Sequence, residues 1–81
     1  MKAVDVITIL ETIQEKVKNL PKNEKSRDGC VLISTRDKSF SFVPSNDTHK
    51  ASIITGTDIL FMKNTTGLHF IDCNAIYHIE F

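Results

Sequence analysis

The sequence predicts an α+β fold, mainly β, in which an N-terminal helix is followed by a small antiparallel barrel of five or six strands. Two observations predict it. Hydrophobic residues recur with a helical period over residues 5–20, and from Gly29 onward the period becomes two. Several of the later strands are also apolar on both faces, so they need cover on both sides. With 81 residues, the chain is expected to form a single domain, 1–81.

The predicted helix covers residues 5–20. Its apolar residues follow alternating intervals of four and three, which places them on one stripe. They are Val6, Leu10, Ile13, Val17 and Leu20. Asp5 is the predicted N-cap, and Pro21 is predicted to end the helix. We expect the stripe to pack on a sheet, with a short coiled-coil dimer as the alternative.

A charged loop, 21–28, is predicted to separate the helix from the barrel, 29–81. The barrel strands are predicted at 30–35, 39–43, 51–55, 58–63, 68–71 and 76–81. Polar and turn-forming residues separate them at 36–38, 44–50, around Gly56, at 64–67 and at 72–74. This rhythm of short strands and tight turns indicates antiparallel hairpins.

The strand 58–63 shows why a barrel is favoured. Its apolar residues point to both faces, Ile59 and Phe61 to one side and Leu60 and Met62 to the other. The interior of a small barrel of the SH3-like kind would cover one side. The helix or a neighbouring protomer would cover the other. The alternative is an open antiparallel sheet with the helix lying across it.

The C-terminal third resembles the Sm-like family, most nearly the Hfq family of bacterial RNA chaperones. The run LFMKNT (60–65) is similar to the first strand and turn of that family's last hairpin, and HFI (69–71) to the return strand. Ala75 and Ile76, followed by Ile79, are similar to the ending. The resemblance implies a helix, a bent five-stranded barrel of the Sm-like kind, and assembly into rings in which the last strand pairs with the next subunit.

One motif departs from that family. Asp72, Cys73 and Asn74 stand where the family carries Tyr-Lys-His, residues that help to hold uridine-rich RNA. A carboxylate replaces an aromatic residue and the basic residue is lost. The resemblance therefore implies fold and ring assembly more than it implies uridine binding at this position.

Composition argues against several classes of function. Ten basic and ten acidic residues give a formal net charge of zero, which differs from the basic footprint of a protein that follows a phosphate backbone. No segment has the roughly 18 apolar residues of a membrane span. Cys30 and Cys73 lie far apart and lack metal-ligand spacing, so we expect reduced, buried thiols in a cytoplasmic protein.

A catalytic or metal site would have to be built near residues 69–78. His69 would lie opposite His78, close to Cys73 and Asp72, if the strands on either side of the turn formed one hairpin, and that set could bind zinc. Cys73 beside either histidine is the only candidate nucleophile, and no glycine-rich oxyanion loop accompanies it. We predict no enzyme activity, no bound metal and no cofactor.

The sequence therefore predicts a non-enzymatic binding module that acts through self-association, as a homo-oligomer, or through contacts with another protein. Its predicted interaction residues lie on the last strand: Ile76, Tyr77, Ile79 and Phe81. The alternative is binding of RNA or single-stranded DNA by an Sm-like ring, with a basic rim formed by Arg36, Lys38, Lys50 and Lys63. The six aromatic residues are expected to lie mostly in the core.

Overall fold

The computed structural model of the protein describes residues 1–19 and 29–81. In these residues one helix precedes six antiparallel strands. The elements are α1 (Ala3–Lys18), β1 (Val31–Thr35), β2 (Ser39–Phe42), β3 (Lys50–Ile53), β4 (Ile59–Asn64), β5 (Gly67–Asp72), a 3₁₀ turn (Cys73–Ala75) and β6 (Ile76–Glu80). The predicted α+β, mainly β architecture is confirmed.

The strands form two three-stranded sheets. Sheet A has the order β2-β1-β6, and sheet B has the order β3-β4-β5. Within the described residues no ladder joins β2 to β3, so the hydrogen-bonded strands do not close into a barrel. The open single sheet is not observed either, because β5 and β6 belong to different sheets.

The helix begins two residues earlier than predicted. Lys2 is the N-cap, with extended backbone and no side-chain hydrogen bond, so the prediction that Asp5 caps the helix is wrong. Asp5 lies in the first turn, where its carboxylate faces the positive end of the helix dipole. The described helix ends at Lys18, and the N–H of Asn19 donates to the carbonyl of Lys16. The predicted stop at Pro21 and the charged loop 21–28 lie outside the described residues.

The helix stripe packs into the core of its own chain. Val6, Leu10 and Ile13 are buried, and Val17 packs at the edge of the same cluster. Leu20 lies outside the described residues. Because this stripe is already covered, the alternative of a coiled-coil dimer is wrong.

The core lies between the two sheets and the helix. Leu60 and Met62 of β4 are fully buried, as is Ile33 of β1. The other buried apolar residues are Val6, Leu10, Ile13, Val31, Phe42, Ile71, Cys73 and Ile76. Every second residue of β4 therefore enters one shared core, which is the period-two pattern of a strand.

The tip of the β4–β5 hairpin in sheet B is tied to strand β2 of sheet A. The β4–β5 hairpin has a two-residue loop, Thr65 and Thr66, between Asn64 and Gly67. The side-chain amide of Asn64 donates to the carbonyl of Ser41 in β2 at 2.7 Å. Its oxygen accepts from the N–H of Thr66 at 3.0 Å. One side chain thus closes its own hairpin and joins sheet B to sheet A.

The expectation that the helix covers the second side of β4 is wrong, whereas cover by a neighbouring protomer stays a prediction. Helix α1 contributes to the interior cluster and does not cover the outer side of sheet B. Ile59, which points outward from β4, is exposed, and so are Leu68 and Phe70 of β5. The described part of the chain therefore presents an apolar sheet face to solvent.

Candidate functional site

The last strand lies where the sequence predicted an edge. Strand β6 is one of the two outer strands of sheet A and pairs only with β1 among the described residues. Its predicted interaction residues differ in exposure. Tyr77 is 67% exposed and Phe81, just beyond the strand, is 49% exposed. Ile76 is buried and Ile79 packs partly against the core, so these two residues hold the strand to its own chain.

A regular arrangement of side chains covers the outer side of sheet B, and we call it the open face. Its residues are Lys50, Ser52, Ile59, Phe61, Lys63, Leu68, Phe70 and Asp72. The strand register places them in rows, because residues directly opposite on neighbouring strands share one face. One row joins Lys50, Lys63 and Leu68, and the next joins Ser52, Phe61 and Phe70.

The row of Ser52, Phe61 and Phe70, which we call the aromatic row, contains two aromatic rings in contact with each other. The ring centroids of Phe61 and Phe70 lie 5.6 Å apart with a 53° angle between planes. Phe61 is partly buried by its neighbours, whereas Phe70 is 64% exposed. The Phe61 ring is therefore packed against its neighbours, whereas much of the Phe70 ring is accessible to solvent.

The row of Lys50, Lys63 and Leu68, which we call the basic row, carries two positive charges without an ion-pair partner among the described residues. Lys50 of β3 lies directly opposite Lys63 of β4, and both side chains are exposed. Neither lysine forms an ion pair with a carboxylate in the described residues. Like charges directly opposite each other on a sheet are unfavourable, so this end of the face attracts anions.

The four predicted rim residues do not form one continuous rim in this chain. Lys50 and Lys63 share the open face. The ammonium of Lys38 lies 5.0 Å from the ring centroid of Phe40 in β2. Arg36 lies in the β1–β2 turn and lines a shallow cleft of about 540 Å³ together with Tyr77 of β6. The structure thus brings one predicted rim residue beside the predicted edge strand.

The histidines and cysteines that suggested zinc are not brought together. Strand β5 pairs with β4 while β6 pairs with β1, so the hairpin that would place His69 opposite His78 does not form. His69 contacts Thr66, and His78 pairs with Glu80 at the surface. In residues 1–19 and 29–81, no cluster of three or more His, Cys, Asp or Glu has an arrangement suited to a metal ion.

The two cysteines differ in environment. Both are free thiols, but Cys73 is buried whereas Cys30 is exposed, so the expectation of two buried cysteines is wrong for Cys30. Burial raises the pKa of the Cys73 thiol, and the carboxylates of Asp58 and Asp72 raise it further. A thiol held in its neutral form is a poor nucleophile.

Sequence reasoning missed the open face because it assigned most aromatic residues to the core. Phe42 is buried and Phe40 is half-buried, but Phe70 and Tyr77 are largely exposed. The signal was already in the sequence, since β4 carries apolar residues on both of its faces. Only one of those faces could enter a core.

Comparison with family models, with curated proteins and with solved structures finds no match to this chain. In the described part of the chain, α1 is neither long enough nor apolar enough to cross a lipid bilayer, and it is the only α-helix there.

Proposed function

We propose that the protein is a non-enzymatic binding module that associates with copies of itself through its edge strands. The observation that carries this proposal is the exposure of apolar side chains on the two strands that flank the 3₁₀ turn. Leu68 and Phe70 lie on β5, and Tyr77 lies on β6. Each of these strands has one edge without a neighbour among the described residues. Such an edge readily accepts a further strand, because its N–H and C=O groups are unpaired.

The proposed contact joins β6 of one protomer to β5 of the next. Both edges carry exposed apolar residues, and a contact between two different edges is heterologous, so repeated copies close into a ring or extend into a filament. A ring pairs the free edges of β5 and β6 in every copy. The resemblance of residues 55–81 to the Sm-like family supports the same arrangement.

The size of the chain also supports association. A domain of about 80 residues buries a smaller fraction of its surface than a large one, and its stability is correspondingly low. Binding between folded chains stabilises each of them by mass action. Burial of Leu68, Phe70 and Tyr77 in an interface would add apolar contact that the single chain lacks.

The resemblance to the Sm-like family also supports a finer proposal about the fold. We propose that sheets A and B are the two halves of a bent small barrel of the SH3-like or Sm-like kind. The strand orders β6-β1-β2 and β3-β4-β5, with a 3₁₀ turn between β5 and β6, support it. An experimental structure in which sheets A and B do not pack against each other around one shared core would contradict this proposal.

The oligomeric state tests the proposed function directly. Light scattering coupled to gel filtration should give a mass that is a multiple of the chain mass. We expect more than two copies, because a heterologous contact does not close on a dimer. A strict monomer at millimolar concentration would refute the proposal, and a strict dimer would refute the pairing of β6 with β5.

A matched pair of variants assigns the contact to the edge. Tyr77→Lys places a charge on the exposed side of β6 and should reduce the mass to that of a monomer, because lysine on an edge strand opposes strand addition. Thr65→Lys makes the same charge change in the exposed loop of the β4–β5 hairpin and should leave the mass unchanged. Ile79→Asp is less informative, because Ile79 also packs on the core.

A further inference from the structure

We infer that the groove between helix α1 and the outer edge of strand β3 binds an extended segment of another protein, one that carries apolar side chains and a basic residue. The segment adds to β3 as a further strand. This inference goes beyond self-association and does not depend on it. The contact proposed above uses β5 and β6, and the outer edge of β3 has no neighbouring strand among the described residues.

The outer edge of β3 carries main-chain groups that point away from sheet B. The N–H of Ile54, just after the strand, donates to the carbonyl of Ile59 at 3.0 Å, so it points toward β4. Main-chain groups alternate in direction along an antiparallel strand, and those of Ala51 and Ile53 therefore face outward. Among the described residues no hydrogen bond reaches these outward groups. They are available to an added strand.

Strand β2, the outer strand of sheet A opposite β6, has a more obstructed edge. The N–H of Thr35 donates to the carbonyl of Lys38, and the same alternation counted from this bond directs the main chain of Ser41 outward. The carbonyl of Ser41 accepts from the side-chain amide of Asn64 at 2.7 Å. The β4–β5 hairpin thus covers part of the β2 edge, and β3 is the better site for strand addition.

Helix α1 forms the second wall of the groove, which has a volume of about 280 Å³. Ile7, Glu11 and Gln14 recur at intervals of four and three, so they lie on one face of the helix. Ile7 is 37% exposed there, and Ala51 and Ile53 on the β3 side are half-buried. Alternate side chains of an added strand face this apolar lining, so the segment requires apolar residues at every second position.

The charge of the groove sets the second requirement on the segment. Glu11 is the only charged residue among the described residues that line the groove, and its side chain is exposed. It lies one helical turn from Glu15, and neither carboxylate forms an ion pair within the described chain. Like charges four residues apart on a helix repel each other. A lysine or arginine in the segment relieves this repulsion, whereas an acidic residue increases it.

A second copy of this chain fits the groove less well than a separate segment. Because β3 contacts α1 of its own chain, pairing β3 with the β3 of another copy would bring two helices, each with its Glu11, to the same edge. Strands β5 and β6 contain no lysine or arginine, so they lack the charge that pairs with Glu11. The occupant is therefore a segment of a different protein.

Nuclear magnetic resonance of the labelled protein with a synthetic peptide tests the inference. The probe alternates valine and threonine over about eight residues, with arginine at both ends. Near saturation, hydrogen exchange of the Ala51 and Ile53 amides should slow about tenfold, because the added strand accepts from them. The Ser52 amide, which faces β4, should change little. No saturable binding at millimolar peptide, or binding without protection of Ala51 and Ile53, would overturn the inference.

Two further peptides separate charge from main-chain pairing. Replacement of both arginines by glutamate should weaken binding about fivefold, because repulsion by Glu11 replaces attraction. Replacement of alternate residues by proline removes N–H donors and should abolish binding. If the glutamate peptide binds as tightly as the arginine peptide, the charge requirement is wrong. If the proline peptide does so, the segment does not add as a strand.

Matched variants of the protein locate the site on α1. Ile7→Ala shortens an apolar side chain in the groove and should weaken binding of the arginine peptide about fivefold. Val4→Ala shortens an exposed apolar side chain elsewhere on α1 and should leave affinity unchanged. Glu11→Gln should weaken binding about threefold, and Asp47→Asn in the exposed β2–β3 loop should not. Equal affinities within either pair would place the peptide elsewhere and refute the inference.

A proline variant tests the edge itself and identifies a competing occupant. Ala51→Pro removes an outward N–H, so the fold should persist while peptide binding is lost. Ser41→Pro makes the same change at the outer edge of β2 and should keep binding. Both should keep the oligomeric mass of the unaltered protein. If Ala51→Pro lowers that mass, β3 contacts another copy and the inference fails. If this variant does not fold, the exchange measurement and the Ile7→Ala comparison decide.

Discussion

The ring of Phe40 in sheet A lies edge-on to the imidazole of His69 in sheet B, with centroids 5.3 Å apart and 62° between planes. Nε2 of His69 lies 2.7 Å from the hydroxyl of Thr66. The Thr66 hydroxyl donates its one hydrogen to the side-chain oxygen of Asn64 at 2.7 Å. It therefore accepts the hydrogen bond from His69, which requires a proton on Nε2. The contact joins the two sheets through an oriented pair of rings.

We expect His69→Ala to destabilise the fold by about 1 to 2 kcal/mol, because it removes an aromatic contact and a hydrogen bond. Urea unfolding followed by circular dichroism measures this loss. His78→Ala is the control, since His78 is exposed and pairs only with Glu80 among the described residues. Its effect should be within about 0.5 kcal/mol. Equal midpoints for the two variants would contradict the proposed role of the Phe40–His69 contact.

Substitutions at two leucines test which face of sheet B packs into the core. Leu60 is fully buried, and Leu68 on the open face is 59% exposed. Leu60→Ala should cost about 3 kcal/mol through lost burial and a residual cavity. Leu68→Ala should cost about 0.5 kcal/mol or less in the monomer. Denaturant midpoints at low protein concentration compare them, and a larger loss at Leu68 would reverse the assignment of faces.

The cysteines should differ in reactivity under native conditions. Iodoacetamide should modify exposed Cys30 readily, and it should modify Cys73 only after local or global unfolding, because Cys73 is buried and the pKa of its thiol is raised. Mass spectrometry of time points identifies the modified residue. Equal rates of modification in the folded protein would exclude the observed burial of Cys73.

The same raised pKa predicts a loss of stability in alkaline solution. The unfolded thiol ionises near its ordinary pKa of 9.0, whereas the folded thiol of Cys73 stays neutral to higher pH. Above this pH the unfolded state therefore binds fewer protons than the folded state. The contribution of the Cys73 thiol to the free energy of unfolding is fully present below this pH and falls as pH rises toward the folded pKa. Urea unfolding under reducing conditions should show a smaller alkaline loss for Cys73→Ala than for Cys30→Ala. Identical pH profiles for these two variants would contradict the prediction.

Gly67 is required by the backbone of the β4–β5 hairpin. Its φ is +125°, and apart from Gly67 and its two chain neighbours no heavy atom lies within 4 Å of the position that a Cβ would take. Gly67→Ala should therefore lose about 1 to 2 kcal/mol from backbone strain alone, without a steric clash. Thr65→Ala in the same loop serves as the control and should change stability little. An unchanged unfolding midpoint for Gly67→Ala would show that the hairpin adopts another turn.

Local sequence was sufficient to place most elements of this fold. The helical stripe that includes Val6, Leu10 and Ile13 was correctly assigned to the core, because its periodicity distinguishes one face from the others. The turns at 36–38, 64–67 and 72–74 were also found, since turn-forming residues interrupt apolar runs there. The N-cap was misplaced at Asp5, because a good capping residue two positions inside the helix resembles a helix start.

The candidate surfaces were predicted only in part. The last strand was expected at an edge, and β6 is one of the two outer strands of sheet A. The pairing of Lys50 with Lys63 could not be read from the sequence, because the register between β3 and β4 depends on how their connection folds. His69 and His78 are likewise separated because β5 and β6 belong to different sheets, which local sequence does not indicate.

The amino-acid sequence by itself determined a helix followed by short antiparallel strands, because periodicity and turn chemistry act between residues close in the chain. Only the tertiary structure decided which side of β4 and β5 is buried. Leu60 and Ile59 are both hydrophobic and point to opposite sides, so local preference does not distinguish the faces. The helix and sheet A bury the side that carries Leu60, and Phe61 and Phe70 are thereby left on the side that faces water.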